Sequence, residues 1–122
     1  CISTDHAPHT AEEKSADFAK APFGIVGLET AAALTNSVLV NGGYLTPMGM
    51  AEKMSYNPSR ILGLDAGDIS TGRQADIVVF DPKKVWTVDP EQFRSKGRNT
   101  PFAGKKLTGQ VKTVIHRGQI TR

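Results

Sequence analysis

An α/β chain in two consecutive parts is the fold class this sequence predicts, and three observations predict it. Helical periodicity dominates up to about residue 64, runs of β-branched residues dominate from about 65 to 122, and Gly63 to Gly72 between them is rich in turn formers. Such an order fits either a small free-standing domain or the last part of a barrel whose other strands lie elsewhere.

The elements run in order along the chain. Residues 1–26, with Pro8 and Pro22 among small and polar residues, read as irregular, and the first few resemble the end of a strand. The run G-L-E-T-A-A-A-L-T-N-S-V-L-V-N-G-G, 27–43, predicts a helix whose apolar face carries Leu28, Ala31, Ala32, Val38 and Leu39, with Asn41-Gly42-Gly43 as its stop. In L-T-P-M-G-M-A-E-K-M-S-Y, Thr46 caps a second helix with Pro47 at its first position. Asn57-Pro58 then starts a separate short turn of helix, closed by Gly63. Further on, Ile77 to Phe80 predict a strand stopped by Asp81-Pro82, and Val85, Trp86 and Val88 a second one. Residues 93–105 read as loop, and the remainder as a hairpin turning at Arg117-Gly118.

Composition narrows the function classes. The 122 residues suffice for one modest core, and 22% charged residues of mixed sign argue against disorder. A net charge of +3 is spread over turns at Lys83-Lys84, Lys96, Arg98 and Lys105-Lys106, so no basic helix or aromatic stripe points to nucleic acid. Cys1 is the single cysteine, which leaves no internal disulfide. No apolar run approaches the roughly 20 residues of a membrane span, and the start lacks a signal-peptide pattern. A cytoplasmic location is the default expectation. With no initiator methionine, the chain reads as a piece of something longer.

Chemistry concentrates in T-D-H-A-P-H, residues 4–9. A carboxylate at the C-terminal end of a β-run stands where barrel enzymes place catalytic groups, and it can hold a divalent metal or take a proton from water. Pro8 stiffens the loop and aims His9, four residues on, towards an anionic group; His6 is better suited to orienting its neighbours. In an arbitrary sequence these would be two solvated histidines in a polar loop. Asp5 alone does not make a zinc site, which takes about three or four protein ligands. His116, the remaining histidine, sits in the C-terminal strand pattern and reads as a surface or packed strand residue.

The opening motif gains meaning from the tracts downstream of it. T-D-H-A-P-H, then Glu13-Lys14, then A-P-F-G-I-V-G-L-E-T at 21–30 resemble the dihydroorotase signature among cyclic amidohydrolases. The resemblance continues through Y-N-P-S-R-I-L-G-L (56–64), G-R-Q-A-D-I-V-V-F-D (72–81) and S-K-G-R-N-T-P-F-A-G-K-K-L-T-G-Q-V (95–111), covering nearly the whole chain. The A-D-I-V-V-F tract is common to many amidohydrolases; the pairing of D-H-A-P-H with A-P-F-G-I is far more specific.

Several expectations come with the resemblance. Residues 1–64 become the last strand loop and closing helices of a TIM-like metal-dependent-hydrolase barrel, and 65–122 part of a small composite β-sandwich. Asp5 becomes the metal-binding carboxylate and general acid–base, His9 the contact for the substrate carboxylate, and Phe23 and Gly24 the backbone lining of the pocket. The implied reaction is the reversible closure of N-carbamoyl-aspartate to dihydroorotate in pyrimidine synthesis, with one or two zinc ions. A metal-activated hydroxide attacks the cyclic amide in the hydrolytic direction.

The family's H-x-H pair, its bridging lysine or aspartate and its two later histidines are not in this sequence. The isolated chain is therefore expected to be inactive and to bind metal weakly or not at all. Its expected partners are the N-terminal part of the same enzyme and a second copy. The alternatives are another cyclic amidohydrolase, an allantoinase or dihydropyrimidinase, and a non-catalytic dihydroorotase-like scaffold subunit.

Overall fold

The computed structural model of the chain describes residues 1–121. Its first helix, α1 (Ala11–Lys14), lies in the stretch read as irregular. A capping box makes this turn: Thr10 Oγ1 accepts the Glu13 N–H at 3.1 Å and Glu13 Oε2 accepts the Thr10 N–H at 2.9 Å. Among the described residues the first five join no strand ladder. Pairing there is confined to one parallel bridge between His6 and Ile25.

Helix α2 (Leu28–Leu34) runs on without a break into wider i→i+5 turns, Thr35–Val40. Its buried residues are Thr30, Ala33, Thr35 and Asn36, whereas Leu28 and Val38, expected on the inner face, are exposed. The helix docks through polar side chains. Asn36 Nδ2 donates to the carbonyls of Pro82 at 3.0 Å and Thr108 at 2.8 Å, and Ser37 Oγ accepts the Thr108 N–H at 2.7 Å.

Helix α3 (Pro47–Ala51) begins as expected, with Thr46 Oγ1 accepting the Gly49 N–H at 3.0 Å. The expected break at Asn57-Pro58 is absent. Turns of i→i+5 type, Glu52–Tyr56, lead directly into α4 (Asn57–Ile61). Pro58 has no N–H to place in the ladder, and the wider turns before it make room for its ring. The helix closes at Gly63 (φ +66°): the Leu64 N–H reaches the Ser59 carbonyl at 2.8 Å and the Gly63 N–H reaches that of Arg60 at 3.2 Å.

Three antiparallel strands complete the chain, β1 (Ile77–Thr87), β2 (Lys106–His116) and β3 (Gln119–Ile120), in the order β1-β2-β3. The two short strands read from the sequence are one. Pairing with β2 shifts between Asp81 and Val85, where the Asp81 carboxylate accepts the N–H groups of Lys83 and Lys84. Pro82 sits in this bulge, where no ladder hydrogen is needed. The C-terminal hairpin turns at Arg117 (φ +51°) and Gly118 (φ +78°), two left-handed residues of a tight turn.

One apolar core joins the two halves: Val26 and Ala33 from the first, Val88, Phe93 and Leu107 from the second, with Leu34, Trp86 and Phe102 packed around them. Outside it, much apolar surface is open, including Phe18 (95% exposed) and Phe23 (92%), and β1 has a free edge. Among the described residues no helix is long and apolar enough to cross a membrane.

Candidate functional site

Two loops, 4–9 and 22–27, run side by side. The Ala7 N–H donates to the Ile25 carbonyl at 2.8 Å, and the Gly27 N–H donates to His6 Nδ1 at 3.0 Å. His6 thus fastens one loop to the other. Glycine is required where they touch. At Gly24 (φ +125°) a Cβ would lie 2.5 Å from Ala7 Cβ and 3.2 Å from His9 Nε2, and at Gly27 it would lie 2.9 Å from Thr4 Cβ.

His9 sits in the seam. Its Nε2 lies 2.8 Å from the Phe23 carbonyl, which only accepts, so Nε2 carries the proton. Its Nδ1 faces Glu13 Oε2 at 3.7 Å. The Glu13 carboxyl is held below its ordinary value chiefly by the Thr10 N–H, then by the Thr10 hydroxyl, with His9 adding a smaller pull. Lys14 Nζ donates to the carbonyls of Pro22 at 3.0 Å and Gly24 at 3.4 Å, tying α1 to the second loop.

Asp5 stands apart from this cluster. Its backbone is left-handed (φ +46°), its side chain is exposed, and no hydrogen bond to its carboxylate is found among the described residues. A carboxylate so placed is open to a cation or a proton. The structure therefore brings His9, Phe23 and Gly24 together and leaves Asp5 on the rim of the same loop.

A metal ion is not housed by these residues alone. Among the described residues no three His, Cys, Asp or Glu side chains converge. His116 lies elsewhere, with Nδ1 2.9 Å from Asp76 Oδ1; that oxygen also accepts the Arg117 N–H at 2.8 Å and closes the hairpin.

The sequence reading missed Asn99 and Gly97. Asn99 Oδ1 accepts the His9 N–H at 3.2 Å, and its Nδ2 donates to the carbonyls of Ala7 and Gly24, both at 3.1 Å. Gly97 is buried against the seam, since a Cβ there would lie 2.8 Å from Pro8 Cβ and 2.9 Å from Val26. The available signal was a polar Asn in the tract G-R-N-T-P-F, which otherwise reads as loop.

Residues 1–121 match the sequence model of the Amidohydrolase family. The chain is 51% identical over 119 residues to a dihydroorotase of Clostridium acetobutylicum, covering 98% of this chain and 28% of that protein. It is 50% identical, with the same coverage, to a dihydroorotase of Pelotomaculum thermopropionicum. Among solved structures it is similar to the dihydropyrimidinase of Brevibacillus agri, with a TM-score of 0.87 and 29% identity over 95% of this chain and 26% of that one. It is also similar to the D-hydantoinase of a Bacillus species, with a TM-score of 0.85 and 28% identity over 95% of this chain and 27% of that one. The chain thus spans between a quarter and a third of the length of these relatives.

Proposed function

Because this chain belongs to the amidohydrolase family, we propose that it is the C-terminal part of a dihydroorotase, the enzyme that interconverts N-carbamoyl-L-aspartate and L-dihydroorotate. The observation that carries the reading is 51% identity to a dihydroorotase across 98% of the chain, against 29% to the dihydropyrimidinase whose fold it shares. The difference favours dihydroorotate over the rings acted on by the other cyclic amidohydrolases.

On this reading residues 1–64 close a TIM-like barrel and 65–122 complete a small sandwich beside it. The core shared by Val26, Ala33, Val88, Phe93 and Leu107 suits two such layers packed together. The free edge of β1 and the exposed apolar faces are covered by the rest of the enzyme, with a second copy as the further partner. A cytoplasmic location belongs to the same reading.

The family is generally metal-dependent, and zinc, as one or two ions, is the finer part of the proposal. The residues present do not make a complete site: Asp5 offers one ligand, and the others come from outside this chain.

In the hydrolytic direction Asp5 takes a proton from the attacking water and returns it to the ring nitrogen as the amide C–N bond breaks. His9 holds the substrate carboxylate, and the backbone of Phe23 and Gly24 lines the pocket. His9 Nε2–H is engaged by the Phe23 carbonyl. To serve a carboxylate, Nε2–H exchanges the Phe23 carbonyl for the substrate oxygen.

The test compares turnover of dihydroorotate, dihydrouracil and hydantoin by the complete protein that carries this chain. Dihydroorotate is expected to be the preferred substrate, and preference for either of the others would overturn the reading.

A further inference from the structure

We propose that Asn99 is the positioning residue that fixes the two site loops against each other, so that His9 and the Phe23-Gly24 backbone meet the substrate in register. The inference rests on the function proposed above, although the geometry behind it does not.

Asn99 lies about 90 residues along the chain from the first loop and about 75 from the second, yet every polar group of its side chain is spent on them. Oδ1 accepts from the His9 N–H at 3.2 Å; Nδ2 donates to the Ala7 carbonyl and to the Gly24 carbonyl, each at 3.1 Å. Its own carbonyl accepts the Val26 N–H at 3.0 Å. One amide therefore spans the first loop at Ala7 and His9 and the second at Gly24, while its backbone holds Val26.

Only a group with a donor end and an acceptor end serves here. Two carbonyls need the NH₂ and one N–H needs the oxygen, so the amide orientation follows from its partners. Aspartate has the same shape but would turn a carboxylate oxygen towards two carbonyl oxygens. Alanine would leave three part-buried backbone groups without partners. The register matters because His9 Nε2 and the Phe23 carbonyl meet at 2.8 Å across this same seam. Asn99 is not seen to touch a reacting group, so its effect passes through His9 and the 22–26 loop.

The experiment uses the complete protein with Asn99→Asp and Asn99→Ala, and Thr100→Ala as the neighbouring control. Steady-state kinetics on dihydroorotate are combined with amide hydrogen exchange. Both Asn99 variants are expected to raise KM about tenfold or more, with kcat changed by less than about threefold. Exchange should quicken at residues 7–9 and 24–26, while Thr100→Ala leaves both measurements near the parent. Unchanged KM and unchanged local exchange in both Asn99 variants would overturn the proposal. So would a Thr100→Ala variant that behaves as they do, since general loosening of the 95–102 loop would then be responsible. If the parent does not act on dihydroorotate, the function proposed above fails and exchange alone decides. Quickening confined to the two loops would still support Asn99 as their brace, and its absence or spread over the whole chain would refute it.

Discussion

Two regions of this chain pair a histidine with a carboxylate, and they differ in everything else. His9 lies in the seam of two loops that are fastened by His6, Lys14 and Asn99 and that admit only glycine where they touch, and the exposed Glu13 faces it from α1. His116 and Asp76 sit at the C-terminal hairpin, where the shared carboxylate also accepts the Arg117 N–H and the Gly118 N–H donates to the Ala75 carbonyl at 3.0 Å, contacts that close a turn. A His–carboxylate pair is therefore not evidence of a site. What distinguishes the first region is the backbone it organises: carbonyls and N–H groups from three separate segments are held in register in the loop that also carries the exposed Asp5.

The largest effect should separate the two regions outright. In the complete protein, Asp5→Asn removes the proposed proton carrier and is expected to lower kcat about a hundredfold to ten-thousandfold. His116→Ala should leave turnover within about twofold. Comparable losses in both variants would erase the distinction.

Glycine replacements sharpen it next. Gly24→Ala meets both a left-handed backbone and a Cβ placed 2.5 Å from Ala7, and urea unfolding should show a loss of about 2–4 kcal/mol. Gly118→Ala faces open space and carries only the backbone strain of φ +78°, about 1 kcal/mol. Equal losses would mean that the close approach of the loops has no energetic weight.

The smallest effect is acid sensitivity at the hairpin. The Asp76 carboxyl is held below its ordinary 3.8 chiefly by the Arg117 N–H, with His116 adding to this and burial opposing it. A carboxyl lowered on folding gives stability that is present above its unfolded value and lost as the pH falls through its folded value. The Arg117 amide resonance should therefore shift with a midpoint below 3.8, and the shift should vanish in Asp76→Asn. A midpoint at or above the ordinary value would contradict the contact.

Much of this was legible in the sequence, for local reasons. Thr46-Pro47 and Gly63 mark helix ends because caps and left-handed stops depend on neighbouring residues, and Arg117-Gly118 marks a tight turn for the same reason. The D-H-A-P-H and A-P-F-G tracts point to one another through their resemblance to a family. Features that depend on distant partners were not legible. Apolar periodicity puts Leu28, Ala31, Ala32, Val38 and Leu39 on the inner face of α2, yet Leu28 and Val38 are exposed, because the periodicity hides a dock made through Asn36 and Ser37 onto β2. Asp81-Pro82 looked like a strand end because a bulge exists only once β2 lies beside β1. Asn99 was passed over because its partners at Ala7, His9 and Gly24 are brought to it only by the fold.

The central claim is that this chain carries one share of an amidohydrolase site whose other share lies outside it. Dihydroorotate hydrolysis, measured side by side for the complete protein and for the 122-residue chain supplied with zinc, tests this most directly. Metal-dependent turnover by the complete protein, and none above background by the chain alone, is the expected result. Turnover by the chain alone, or an inactive complete protein, would contradict it.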